Sequence, residues 1–166
     1  YTATLQLGAT TASYDMEHPV DATYPTEYIT LDLIKETLPK FVGEIQQVPP
    51  AYSACKVNGD RAYDLMRKGR DVELKPKTLR IDEIELTSFD PALMQMSIRV
   101  VCGKGTYIRA LARDIGEALG SGAYLTALCR TRVGDVRIED CVTLDDFPQW
   151  LDKQTIEDII TEENNI

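Results

Sequence analysis

The chain has 166 residues, 43% of them hydrophobic, and a formal net charge of −9. That is enough chain to bury one real core and too little for two full domains, so one globular α+β or similar domain, or part of one, is the expectation. No apolar run approaches the roughly 18 residues that a membrane helix requires, and no basic-then-apolar export signal opens the chain, which reads as soluble and cytoplasmic with no membrane partner.

"TATLQLG", Thr2 to Gly8, alternates β-branched and apolar residues with polar ones and reads as a strand stopped by glycine. The following "ATTASYDMEHPVDATYPTEY" is rich in Thr, Ala and Asp, holds two prolines and has no period; an exposed loop is expected. "TLDLIKETLPKFVG" places Leu31, Ile34, Leu38 and Phe41 at helical spacing, with Thr30 as N-cap, Pro39 as a kink or stop and Gly43 after the end. Pro49 and Pro50 keep the next segment extended. A turn at Asn58-Gly59 follows, then a short helix from about Arg61 to Lys68 closed by Gly69.

"LRIDEIELTSF" and "LMQMSIRVVC" alternate cleanly, with Ile81, Ile84 and Leu86 in the first and Met94, Met96, Ile98 and Val100 in the second. With turn residues Asp90 to Ala92 between them, they predict an antiparallel hairpin that turns one face to the core. A helix is expected from about Thr106 to Leu119, its stripe formed by Ile108, Leu111, Ala112, Ile115 and Leu119, with Gly120 beyond. "AYLTALCRTRVGDVRI" suggests a short helix or turn and then a strand. "TLDDFPQWL" and "TIEDIITEENN" read as acidic helical pieces capped by Thr143 and Thr155. The order is that of a mixed α+β domain rather than a βαβ repeat.

The negative total conceals an uneven distribution. Residues 1–45 carry two lysines and seven acidic residues, and residues 138–166 one lysine and nine, whereas 46–137 hold fifteen basic against eleven acidic side chains. That basic middle suits a polyanionic partner and suits an ordinary solvated surface equally. Cys55, Cys102, Cys129 and Cys141 lie far apart, without C-x-x-C spacing and with His18 as the one histidine. They read as buried, reduced thiols, and no metal site is expected.

The segment "VCGKGTYIRALARDIGEALG" poses the chemical question. Gly103-Lys104-Gly105-Thr106 before a helix suggests a phosphate loop, but a Walker loop needs G-x-x-x-x-G-K-[ST], and here glycine follows the lysine. A dinucleotide fingerprint fails too, for want of its third glycine. A strand-to-helix turn capped by Thr106 explains the glycines and leaves Tyr107 and Arg109 unexplained. These two lie about 200° apart on an α-helix, yet at its very start both can project into one cleft. There an arginine holds a carboxylate ionised, and a tyrosine stacks on a ring or relays a proton.

"CGKGTYIRALARDIGEALG", "QQVPPAYSACKVNGDRAYDLMRKG", "YTATLQLGATTASYD" and "AYLTALCRTRVGDV" resemble four segments of the bacterial tRNA pseudouridine synthase B family. The resemblance covers roughly residues 1–147, and the K-G-T-Y-I-R and Q-x-P-P-x-Y-S-A-x-K motifs together are highly specific. It implies a pseudouridine-synthase-like fold, a mixed and mainly antiparallel sheet flanked by helices. It also implies an enzyme that converts uridine 55 of the tRNA T loop to pseudouridine, without metal or organic cofactor, with tRNA as partner and as a monomer when full length.

Carried over residue by residue, Tyr1 matches the aromatic that stacks on the target base, and Tyr107 the active-site tyrosine, a candidate for proton transfer. Arg109 matches the arginine that pairs with the nucleophilic aspartate, and Leu128 an apolar wall of the uracil pocket. Asp15 matches an acidic residue of the RNA-facing loop and serves equally well as a turn cap. Lys56, Lys104, Arg130 and Arg132 are candidate RNA contacts. A flipped base needs such a stacking face and wall.

The family's nucleophile lies in a Gly-x-x-Gly-Thr-Leu-Asp-Pro segment upstream of the tyrosine matching Tyr1, so it is expected outside this chain, and the chain alone is expected to be inactive. Thr143-Leu144-Asp145 and Asp90-Pro91-Ala92 each repeat part of that motif in the wrong position. Gly103 and Cys129 depart from the serine and arginine usual in the family. Residues 148–166 read as an acidic helical tail, too short for the small RNA-binding domain common in the family. The alternative reading is a non-catalytic RNA-binding or tRNA-folding module.

Overall fold

The computed structural model describes residues 1–53, 56–57, 60–62, 64 and 74–153. The chain divides into two compact units, Tyr1–Cys129 and Arg130–Ile166.

The first unit is built on five antiparallel strands. β1 (Thr2–Leu7), β4 (Gly43–Gln47), β7 (Lys77–Asp90), β8 (Gln95–Cys102) and β9 (Ala123–Cys129) lie in the order β4-β7-β8-β1-β9. The hairpin expected from the two alternating runs is β7–β8, with Ile84 opposite Val100 and Leu86 opposite Ile98. Met94 sits in its turn, at φ +49°, rather than in the strand. The opening strand pairs on both sides, Leu5 facing Met96 on one flank and Leu125 on the other. Alternation puts Ala3, Leu5 and Leu7 on the buried face and Thr2, Thr4 and Gln6 on the other.

Two helices cover the buried face. α1 (Leu31–Thr37) begins where Thr30 accepts the Leu33 N–H, and it passes at Pro39 into a 3-10 turn, Leu38–Phe41. The missing proline N–H and its fixed φ end the α-helix there, as the sequence suggested. α2 (Ile108–Ala118) buries Ile108, Leu111, Ala112 and Ile115 against β9 and β1. Its approach is so close that a Cβ on Gly116 would lie 2.4 Å from the Ala123 nitrogen. Leu5, Ile81, Met96, Leu111 and Ile115 are fully buried at the centre, and each such side chain contributes roughly 1.5–3 kcal/mol relative to exposure.

Other expectations change as well. The segment after Gly8 is a short hairpin, β2 (Ala9–Thr11) with β3 (Val20–Thr23), rather than a loop throughout. Its strands are too short and too rich in Thr and Ala to show a period. The stretch from Ala123, expected as helix or turn, is the full strand β9. Thr106 does not cap α2: its hydroxyl donates to the Gly103 carbonyl at 2.9 Å, and the residue at the N-cap position is Tyr107.

β5 (Lys56–Val57) pairs with β6 (Asp60–Arg61), so Arg61 is a strand residue, and the helix expected from about that position follows it, Ala62 and Asp64 being helical. The Asn58-Gly59 turn, most of the segment to Gly69, Cys55 and the piece capped by Thr155 lie outside the described residues. Of the cysteines expected buried, Cys102 and Cys129 are half-buried and Cys141 is exposed.

The second unit holds a two-stranded ribbon, β10 (Arg132–Val133) with β11 (Val136–Arg137), a 3-10 turn at Ile138–Asp140, and α3 (Phe147–Lys153). Thr143 leads into α3, its hydroxyl accepting the Asp146 N–H at 3.1 Å, and the Phe147 and Trp150 rings stack at 5.8 Å.

Candidate functional site

The strand-to-helix turn after β8 is where the chemistry-bearing residues gather. Gly105 takes φ +85°, a left-handed backbone that side chains other than glycine's resist. Gly103 has no such φ and would accommodate a Cβ, with only the Arg80 carbonyl oxygen near it at 3.5 Å. A serine would therefore fit there as well as glycine. Lys104 is exposed at the tip of this turn.

With Thr106 committed to Gly103, the start of α2 is fastened by a residue sixty positions away. Gln47 is fully buried, its Oε1 accepts the Tyr107 N–H at 2.9 Å, and its Nε2 donates to the Tyr107 carbonyl at 3.2 Å. A buried amide thereby pairs with both main-chain groups of Tyr107 and satisfies its own donor and acceptor. The sequence reading missed Gln47 as a site residue. The available signal was a glutamine at a buried, inward-facing strand position beside the double proline.

Arg109 lies two residues further on, in the first turn of α2. Its Nη1 donates to the Ser13 carbonyl and to Asp15 Oδ2, each at 3.2 Å, and its Nη2 donates to the Tyr52 carbonyl at 2.7 Å. The Arg109 and Asp15 side chains are only 22% and 28% exposed, so this ion pair is screened less than a surface one. Asp15 is both of the things expected of it and one more. Its Oδ1 accepts the Ser13 hydroxyl and the Glu17 N–H, as a turn cap does, and its Oδ2 binds the arginine.

The loop that carries Asp15 is itself tied down. The buried Thr11 hydroxyl donates to the Asp15 carbonyl at 2.6 Å, and the Leu125 N–H donates to the Tyr14 carbonyl at 3.0 Å. Tyr14 has φ +58° and its ring lies under Arg113, 5.6 Å from the guanidinium carbon. Burial pushes its phenol pKa up, against the opposing charge of Arg113, so it stays neutral. The His18 ring lies 4.6 Å from that of Tyr52.

Tyr1 and Leu128 share the helix-bearing face of the sheet by register. Val100, on that face, donates its N–H to the Tyr1 carbonyl, and Tyr1 packs against the core. Leu128 stands opposite Ala3 because the β1–β9 ladder shifts by one residue between Thr4 and Leu5. Without that bulge the alternation from Leu125 would turn Leu128 to the opposite face. At 47% exposure it is an apolar surface left open at the sheet's end.

The Lys56 side chain lies outside the described residues, and Arg130 and Arg132 belong to the second unit. Among the described residues there is no cluster of three or more potential metal ligands and no helix long and apolar enough to cross a membrane.

The whole arrangement superposes on a chain in the crystal structure of a Cbf5-Nop10-Gar1 complex, with a TM-score of 0.62 and 26% identity over 90% of this chain and 35% of that one. This is the mainly antiparallel α+β fold of pseudouridine synthases. The sequence model of the TruB family pseudouridylate synthase N-terminal domain matches residues 1–108, and that of the tRNA pseudouridylate synthase B C-terminal domain matches residues 109–162. The chain belongs to the TruB family of pseudouridylate synthases.

It is 67% identical to tRNA pseudouridine synthase B of Phocaeicola vulgatus, over 98% of this chain and 68% of that protein. The same identity holds to the protein of that name from Bacteroides fragilis, over 95% of this chain and 66% of that one. The chain thus spans about two thirds of the length of these relatives.

Proposed function

We propose that this chain forms most of the catalytic domain of a tRNA pseudouridine synthase, which isomerises the T-loop uridine of a flipped-out nucleotide in a tRNA stem-loop. The observation that carries the proposal is the half-buried Arg109, held by Asp15 and two carbonyls immediately after a tyrosine whose main chain is itself pinned. A guanidinium has five N–H groups. Three of Arg109's are engaged among the described residues, which leaves two for a second carboxylate.

Asp15 is a poor candidate for the nucleophile, because both of its oxygens are already engaged, by three donors in all. The nucleophilic aspartate comes from sequence outside this chain, and Arg109 keeps it ionised among apolar neighbours. Tyr1 stacks on the flipped uracil and Leu128 walls it.

The reaction exchanges a bond from the ribose to a ring nitrogen for one to a ring carbon. That carbon loses its hydrogen and the nitrogen gains one, so composition is unchanged and no redox partner is required. Tyr107 assists that proton transfer. Lys104 and Lys56 contact phosphates. The enzyme works in the cytoplasm as a monomer, on tRNA alone.

The test uses the complete natural protein that contains this chain and a T stem-loop RNA tritiated at the uracil carbon. Turnover releases tritium. Tyr107→Phe is expected to lower kcat by about a hundredfold or more while the Kd for RNA changes little. Equal turnover by both proteins would remove the role given to Tyr107. Tight RNA binding with no tritium release from the wild type would favour the non-catalytic module.

A further inference from the structure

The β10–β11 ribbon carries a feature that folding alone disfavours. Arg132 and Arg137 are direct cross-strand partners, and both are exposed. Like charges opposite one another on a two-stranded ribbon destabilise it, since their Cβ atoms lie only about 4.5–5.5 Å apart. Elsewhere the same chain solves that problem with opposite charge: Arg99 on β8 faces Glu85 on β7 and binds it at 2.9 Å.

No carboxylate plays that part on the ribbon. Among the described residues no ion pair is made by Arg132 or Arg137, although Asp135, Glu139 and Asp140 are close in sequence. The next cross-strand pair, Val133 with Val136, is also exposed, at 61% and 60%. All three arginines of the second unit fall between positions 130 and 137, in a region otherwise acidic.

We propose that this ribbon is an RNA-backbone contact, in which Arg132 and Arg137 hold one phosphate between their guanidiniums. Two forked donors at that spacing match a phosphate, which accepts in-plane hydrogen bonds from each. The anion removes the repulsion that the bare pair carries. Arg137 is therefore an RNA-binding residue equal in weight to Arg132. The choice of RNA over an acidic protein rests on the proposed function.

The experiment measures Kd for the T stem-loop RNA across a salt series, with the complete natural protein and variants at position 137. Arg137→Ala is expected to lower the slope of log Kd against log salt by about 0.7 to 0.9 and to weaken binding by roughly three- to tenfold at low salt.

Arg137→Glu separates folding from binding. It places opposite charges across the ribbon, so the Tm is expected to hold or rise while RNA binding falls further than in the alanine variant. A wild-type slope for Arg137→Ala, or wild-type affinity for Arg137→Glu, overturns the proposal, as does a wild type that shows no salt-dependent RNA binding. Failure of the enzymatic reading appears separately, as binding with its normal salt slope but no tritium release.

Discussion

Arg109 commits three of its donors to partners far away in the chain, Asp15 lying 94 positions upstream. That carboxylate does two jobs at once: Oδ1 shapes its own turn and Oδ2 orients the guanidinium. The two can be separated by substitution. Asp15→Asn keeps the size of the side chain and an acceptor oxygen, but it removes the charge that fixes the arginine. We expect kcat to fall by roughly ten- to a hundredfold with KM nearly unchanged, because a misdirected guanidinium costs transition-state stabilisation rather than binding. Single-turnover kinetics on the T stem-loop would show it, and a change confined to KM would instead make Asp15 an RNA contact. From sequence, Asp15 and Arg109 each stood out as candidate site residues. Their pairing did not, since no local period relates positions so far apart.

At the scale of the element, the start of α2 shows how a helix without an N-cap side chain is anchored. Thr106 had the right chemistry for a cap but stands one residue before the N-cap position, and its hydroxyl turns back to Gly103 within the glycine turn. The work passes to Gln47 on β4, whose amide is buried completely and has no water to fall back on. Gln47→Leu would leave the Tyr107 N–H unpaired in the interior, while the Tyr107 carbonyl keeps the Leu111 N–H, at a cost of about 1–3 kcal/mol. Urea unfolding measures that cost. A larger effect is expected on kcat, through the displaced Tyr107 phenol, with partial rescue by Gln47→Glu, which keeps the acceptor for the Tyr107 N–H. Equal kcat in the leucine variant and the wild type would reduce Gln47 to a structural role. The β9 bulge is a second element-scale device hidden from sequence. Alternation along "AYLTALC" is broken by one residue, and that break both obscured the strand and turned Leu128 toward the face of Tyr1.

For the whole first unit, the decisive fact is that β1 lies inside the sheet and not at its edge. The β7–β8 hairpin and the α2 stripe were legible because their signals are local: strict alternation in one, a 3.6-residue period in the other. The sheet order was not, because β1 joins strands that begin about ninety and a hundred and twenty residues later, and loop closure of that length leaves no trace in local pattern. The family resemblance supplied the mainly antiparallel sheet flanked by helices, but not the order of its strands. Such a topology makes β1 the shared partner of two ladders. Leu5, fully buried between Met96 and Leu125, is therefore a test of the unit's cooperativity. Leu5→Ala is expected to destabilise it by about 2–5 kcal/mol, the range for a leucine lost from a core that cannot collapse around the cavity. Because β1 lies between β8 and β9 in the sheet, native-state hydrogen exchange should show the amides of Ile98 and of the β9 residues bonded to β1 losing protection by the same factor as those of β1 itself. Loss confined to β1 would mean that the strand opens alone, with the β7–β8 hairpin and the α2–β9 pair each stable without it.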